Sequence, residues 1–357
     1  MTITVKRATF HPLVVARVEQ LTDDSSAVTF AVPEDLRSDY AFQPGQSVTI
    51  RRELGGRDER RTYSICAPVC GDLRIGVRRV AGGAISGWLT AEVRAGDVVD
   101  VQSPTGAFVA DPDAGGRHVF VAAGSGITPV LSIATSLLQR SAATLTLLYA
   151  NRHTNSVMFV DDLSDLKNEY GPRLELVHVL SREPREVELF SGRLDRERLA
   201  TIIAELVPVD AIDHFWLCGP FELVAGTRDL LQELGVPKER IHAELFYVEA
   251  APPTPASHIE PGPDGPTAQV TVVLDGRATE LRLPLGETIL DAAQRSRADL
   301  PFACKGGVCG TCRARVTAGT VDMRRNYALE DSEVADGFVL TCQSFPESPA
   351  ATVDYDA

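Results

Sequence analysis

Hydrophobic and polar positions fall into three successive patterns along the chain. Up to residue 112, short runs such as LVVARVEQL, AVTFAVP, GQSVTIRREL, RRTYSICAP and LRIGVRRV follow one another at turn-rich intervals, leaving room only for brief helices. Closely spaced runs of this kind predict an antiparallel β-barrel. From 113 to 248 apolar strands alternate with amphipathic helices: RHVFVAAG, SGITPVLSIATSLLQR, LTLLYANR, SVMFVDDLSDLKNEY, LELVHVLSRE, DRERLATIIAEL, DHFWLCGP, FELVAGTRDLLQELG and IHAELF. That order specifies an α/β unit with a parallel sheet, whose ligands bind at the carboxyl ends of the strands. Residues 249–266, EAAPPTPASHIEPGPDGP, are proline-rich with little to bury and predict a semi-extended linker. From 267 to 357, QVTVVLDG and ATELRLP bracket Asp275 and Gly276, a hairpin signal, and GETILDAAQRS places Ile289, Leu290 and Ala293 on one helical face. With the returning strand CRARVTAG, this predicts a small α+β domain.

Composition narrows the setting. A chain of 357 residues exceeds one ordinary core, and 44% hydrophobic with 24% charged residues is a common globular mixture. A formal net charge of −14 argues against nucleic acid or an anionic membrane as partner. Anionic cofactors remain open if arginines are placed locally. No apolar stretch approaches about 18 residues, and MTITVKRATFHPLVV has no basic region leading into an apolar run. A cytoplasmic protein is expected. Seven cysteines, irregularly spaced, are then expected to serve metal or redox chemistry rather than disulfides.

Three of them lie in CKGGVCGTC: Cys304, Cys309 and Cys312, with Cys342 following in VLTCQSF. The spacing C-x4-C-x2-C…C is that of plant-type [2Fe–2S] ferredoxins. Glycines within the loop let backbone N–H groups turn toward anionic sulfurs. Structural zinc also takes four cysteines, although it usually draws them from two similar knuckles. Cys66, Cys70 and Cys218 are expected to be buried apolar residues.

Candidate cofactor residues lie upstream. GSGITP, with Gly124, Ser125, Gly126, Thr128 and Pro129, ends the first strand of the α/β region and opens a helix whose N–H groups suit phosphate. YANR supplies Asn151 and Arg152, and LSRE supplies Ser181 and Arg182, where a dinucleotide's ribose should lie. Their guanidinium forks favour NADPH over NADH. WLCGP brings Cys218, Gly219 and Pro220 to the same crevice. In the barrel, RTYS offers Arg61 as a charged fork, Thr62, Tyr63 as a flat aromatic face, and the Ser64 hydroxyl. GVRRVAGGAIS supplies Val77, Arg78, Gly82, Gly83 and Ser86 before a short helix. A tight glycine turn, solvated arginines, a strand tyrosine and a packed thiol account for the same residues without any ligand, and spacing alone leaves both readings open. The seven histidines are scattered and are expected at surface or core positions.

FQPGQ, RTYSI, GVRRVAGGAIS, GSGITP, YANR, WLCGP and CKGGVCGTC occur in the order found in ferredoxin–NADP reductase-like oxidoreductases that carry a carboxy-terminal ferredoxin. The resemblance runs from FHPLVVARVE to NYALE…GFVLTCQ, nearly the whole chain, and is greatest to reductases serving phenylacetyl-CoA epoxidase. It implies a FAD-binding barrel over 1–112, an NADP-binding domain over 113–248 and a β-grasp [2Fe–2S] ferredoxin over 267–357. Arg61 would hold flavin phosphate, Tyr63 would pack on the isoalloxazine and Ser64 would bond near N5. Val77 and Arg78 would line the flavin, with Gly83 and Ser86 near the pyrophosphate. Gly124, Gly126, Thr128 and Pro129 would meet the dinucleotide, with Cys218 near its reactive carbon. Glu244 and Phe246 of AELF match the motif whose aromatic covers the flavin edge. FAD is implied, with FMN in some similar reductases, and some relatives lack Arg182. NADPH yields two electrons and such a cluster accepts one, so a flavin belongs between them. The implied client is the oxygenase component of a di-iron monooxygenase. A ring-hydroxylating dioxygenase is the alternative, and a non-catalytic redox-responsive binding protein is the reading from another class.

Overall fold

The short alternating runs of the amino-terminal part form six antiparallel strands in the computed structural model, which describes residues 9–247, 267–297 and 300–357. They are β1 (Phe10–Thr22), β2 (Ser25–Ala31), β3 (Ser47–Leu54), β4 (Arg57–Ser64), β5 (Leu73–Arg78) and, after helix α1 (Ala84–Ala91), β6 (Val98–Gln102). Their order is β4-β3-β6-β1-β2-β5, and an antiparallel bridge between Ile65 and Ile75 joins the two ends. The sheet therefore closes on itself, and the expected barrel is found. Leu13, Val28, Ile50, Ile75 and Val77 fill its interior. In β5, Leu73, Ile75 and Val77 enter this core, so Arg74, Gly76 and Arg78 point out through the opposite face.

A second sheet follows within the same unit. Its elements are β7 (Arg117–Ala123), α2 (Ile127–Arg140), β8 (Thr144–Asn151), α3 (Val160–Tyr170), β9 (Leu174–Leu180), α4 (Arg196–Leu206), β10 (His214–Pro220), α5 (Phe221–Glu233) and β11 (Ile241–Tyr247). All strands are parallel, in the order β11-β10-β7-β8-β9. The order reverses between β7 and β10, and the crevice outside such a switch point is where open α/β sheets bind ligands. Helix α2 is buried along most of its length because it packs against the barrel as well as the sheet. Two of its serines are polar anchors there: Ser132 Oγ donates to Ala67 O at 2.6 Å, and Ser136 Oγ accepts from Val69 N at 2.9 Å.

Residues 248–357 make a separate unit. It contains β12 (Thr267–Leu274), β13 (Arg277–Pro284), α6 (Ile289–Gln294), β14 (Arg313–Ala318), β15 (Val321–Met323), α7 (Asp331–Ala335), β16 (Phe338–Leu340), β17 (Ser344–Pro346) and β18 (Ala350–Asp354). The sheet order is β13-β12-β18-β14-β16, with β12 and β18 parallel. Asp275 (φ +56°) and Gly276 (φ +66°) form the expected two-residue hairpin turn. The central strand β18 escapes a reading of the sequence because only Ala351 and Val353 of its five residues are buried. The expected linker, 249–266, lies outside the described residues. Among the described residues no helix is long and apolar enough to cross a membrane.

Candidate functional site

At the switch point the carboxyl ends of β7 and β10 meet. The GSGITP turn leaves β7 and starts α2, with no side chain capping the helix. A Cβ on Gly126 would stand 2.3 Å from Cys218 O, so only glycine lets the turn press against β10. Tyr149, fully buried in β8, donates its hydroxyl to Gly124 O at 2.9 Å and fixes the turn from below. Thr128 Oγ1 donates to Ser125 O at 3.0 Å. Asn151, 8% exposed at the end of β8, sets its amide beside the Tyr149 hydroxyl and has no other side-chain hydrogen-bond partner among the described residues. An amide has two donors and a two-lone-pair acceptor, so most of this group's hydrogen-bonding capacity stays open to a polar ligand at the strand end. Cys218 is paired in register with Ala122 of β7 and Glu244 of β11. Its thiol is fully buried, and burial first, then the Glu244 charge, push its pKa well up, so it is a neutral thiol.

The barrel presents its residues to the same crevice. Ser64 is buried, and its Oγ lies 3.5 Å from Glu244 Oε2. Glu244 retains some open surface but is densely surrounded, and this burial raises its pKa to about 8 against the opposing Ser64 hydrogen bond. Tyr63 is partly buried against the barrel core; burial raises its pKa, partly offset by the Arg61 charge. Arg61 is half exposed, donates to Arg60 O and pairs with Glu59 at 3.2 Å. Arg78 reaches Asp24 at 3.2 Å and donates to Ser156 O at 2.5 Å. Val77 turns its side chain into the barrel, which leaves its backbone as the part available to a flavin. Gly82 and Gly83 precede α1, and Ser86 Oγ accepts from Val80 N at 3.1 Å, closing that loop. Phe246 packs against the core beneath the nucleotide sheet.

In the carboxy-terminal unit the four expected thiols stand as two pairs. The Cys304 thiol interacts with that of Cys309, and the Cys312 thiol with that of Cys342. The Cys309 thiol and then the N–H groups of Gly306, Val308 and Cys309 lower the pKa of Cys304 to about 5, against burial. Gly306 N lies 3.3 Å from Cys304 Sγ. Among the described residues no three metal-ligating groups gather as a single ion would require, and all four cysteines are free of disulfides. Four free thiols at this spacing, with N–H groups turned toward sulfur, are the donors that an iron–sulfur cluster takes. Gln343, buried, ties the arrangement together by donating from Nε2 to Lys305 O at 2.9 Å and to Cys342 O at 2.8 Å.

Comparison with known proteins finds a family for each of three stretches of the chain. Residues 12–109 match an oxidoreductase FAD-binding domain, 120–229 an oxidoreductase NAD-binding domain and 272–347 a 2Fe-2S iron-sulfur cluster binding domain. The chain is 41% identical over 354 residues to one of the subunits of the 1,2-phenylacetyl-CoA epoxidase of Escherichia coli, covering 98% of both chains. The ferredoxin reductase component of 3-ketosteroid-9-alpha-monooxygenase from Mycobacterium tuberculosis is 35% identical, over 96% of this chain and 95% of that one. The chain belongs to this family of oxygenase reductase components. Phthalate dioxygenase reductase has the same fold, with a TM-score of 0.61 at 24% identity, covering 97% of this chain and 98% of that one. An oxygenase component is thus the partner of this reductase, and FAD, a nicotinamide dinucleotide and a [2Fe–2S] cluster are its cofactors.

The reductase departs from the sequence reading in two places. Cys70 is not buried: it is exposed with φ +64° in the loop before β5, because the turn at Gly71 carries it outward. The histidines are not all scattered, since parallel register gathers His118, His214 and His242 on one sheet face with Trp216. There Trp216 Nε1 donates to His118 Nδ1 at 3.2 Å, and Trp216 stacks on His242 at 4.1 Å. Gln343 and Tyr149 were invisible as site residues; each acts through a contact distant in the chain that no local motif marks.

Proposed function

We propose that this reductase draws electrons from NADPH and delivers them to the di-iron oxygenase that epoxidises phenylacetyl-CoA. The full-length 41% identity to the corresponding epoxidase component carries the choice of client. The flavin, when bound, accepts an electron pair and releases electrons singly, which matches a two-electron donor to a one-electron cluster. The chain's own task is positioning. The α2 amino end and Asn151 hold the dinucleotide, Arg61, Tyr63, Arg78, Gly83 and Ser86 hold the flavin, and Ser64 with Glu244 controls a proton beside it. Cys304, Cys309, Cys312 and Cys342 would hold the cluster through their thiolates. The division proposed is 1–112, 113–248 and 267–357, supported by the end of β6 at Gln102 and the start of β7 at Arg117. A cytoplasmic setting is proposed because the four cluster thiols must stay reduced. Purified protein, NADPH, the oxygenase subunits and phenylacetyl-CoA should together consume substrate; a competent oxygenase that fails to turn over would sink the choice of client.

Two adjacent strand ends support NADPH. Arg182 N donates to Arg152 O at 2.9 Å, so these exposed arginines stand side by side at the ends of β8 and β9. Among the described residues neither guanidinium pairs with a carboxylate, whereas Arg61, Arg74 and Arg78 all do. Arg185, a few residues on, is likewise exposed and adds a third positive charge. A charge-assisted hydrogen bond contributes about 1.5–3 kcal/mol, so Arg152→Ala or Arg182→Ala should lower kcat/KM for NADPH roughly tenfold or more. NADH kinetics should change less than about twofold. Equal losses with both nucleotides would remove the case for a 2′-phosphate site.

A further inference from the structure

One face of β5 forms a seam with the nucleotide-binding half. Arg74 pairs with Asp162 at 2.7 Å, and its guanidinium lies 5.1 Å from the centre of the Phe159 ring. Arg78 reaches Ser156 O at the other end. Between them Gly76 leaves a notch. A Cβ there would stand 2.5 Å from Thr128 Cγ2 and 2.7 Å from Phe159 Cζ. Phe159 is 2% exposed and adopts φ +59°, a left-handed backbone that bulky residues avoid and that persists only where surroundings impose it. Its ring fills the notch and rests against Arg74, so the strained residue is locked from two sides. Thr128, the other occupant, belongs to the GSGITP turn. Gly76 immediately precedes Val77 and Arg78 on the flavin side. This packed contact thus connects the strand assigned to flavin with the turn assigned to dinucleotide, next to the place where Arg78 Nη1 would stand 3.0 Å from a Cβ on Gly124.

We propose that the Gly76 notch, filled by Phe159 and Thr128, sets the spacing between flavin and nicotinamide, which makes Gly76 and Phe159 positioning residues for flavin reduction. The proposal rests on the cofactor sites read above. Packed interfaces have no spare volume for a methyl group, so a larger residue at 76 must push the turn away from β5. Reactive atoms must approach within about 3–3.5 Å, and a displacement near 1 Å can lower the rate roughly a hundredfold.

The test uses the full-length holoenzyme carrying Gly76→Ala. Flavin and iron content should be retained. The rate of flavin reduction at saturating NADPH should fall roughly tenfold or more. The long-wavelength absorption given by stacked reduced flavin and NADP⁺ should fade, while the NADP⁺ dissociation constant changes little. Gly76→Ala/Phe159→Leu, which withdraws the ring tip, and Gly76→Ala/Thr128→Ser, which removes Cγ2 but keeps the hydroxyl, each relieve one of the two close approaches and should each recover part of the band and of the melting temperature. If Gly76→Ala does not fold, Phe159→Leu alone decides, with a weaker band and slower reduction at unchanged NADP⁺ affinity. An unaltered band and rate in the folded variant, or no recovery in either double variant, overturns the spacing role. A wild type that neither NADPH nor NADH reduces would instead count against the functional reading itself.

Discussion

Serine at position 309 is expected to abolish the visible absorption of the cluster and stop electron delivery to the oxygenase, while NADPH continues to bleach the flavin. Cys309 belongs to one of the two thiol pairs and faces Cys304. A serine hydroxyl stays protonated near neutral pH and is a hard oxygen donor, so it is a much poorer ligand than a soft thiolate for an iron–sulfur cluster. Second-layer changes at metal sites already lower function about 10–100-fold, and loss of a ligand should exceed that. Iron content and the cluster spectrum report the loss directly, while stopped-flow reduction of the flavin reports the untouched upstream half. Cys70→Ser is the matched control, because Cys70 is exposed and lies in the flavin-binding unit. Unchanged cluster absorption in the Cys309→Ser protein would remove Cys309 from the ligand set.

The cluster loop was legible because its information is local: three ligands fall within nine residues, and only Cys342 must return from afar. The two sheets were legible for a related reason, since period-two runs and strand–helix alternation are written into consecutive residues. What the chain hides is contact between distant segments. Nothing in SVMFVDD marks Phe159 as a left-handed residue seated at Gly76, and helical periodicity there predicts an earlier start than the observed Val160. Gly76 reads as a weak point in a strand, yet its missing side chain is the space that Phe159 and Thr128 use. YANR places Asn151 at the end of β8, but how little of its amide the chain engages is visible only in the fold. The gathering of His118, His214 and His242 likewise depends on register between parallel strands, which alternation alone does not specify.

Loss of the Ser64 hydroxyl should slow flavin reduction roughly a hundredfold, the effect of removing one preorganised donor aimed at developing charge. Glu244 decides whether that donor is available. Its pKa is raised to about 8, chiefly by burial, so at neutral pH it is a carboxylic acid whose proton can be given to Ser64 Oγ. The Ser64 O–H is then free to point into the crevice. Above pH 8 the carboxylate accepts the only proton Ser64 has, and the crevice loses its donor. Flavin reduction should therefore slow about tenfold as pH rises from 7 to 9.5. Glu244→Gln keeps a neutral donor to Ser64 at every pH, so it should run near the wild-type rate at pH 7 and lose the inflection near 8. The same group predicts a stability trend of definite sign. A carboxyl whose folded pKa lies above its ordinary value of 4.5 stabilises the fold fully below 4.5, and that contribution is lost as pH rises through about 8. Wild-type melting temperature should fall across this window more steeply than that of Glu244→Gln. An inflection near pH 8 that survives in Glu244→Gln would assign the titration to another group and leave Ser64 without its switch.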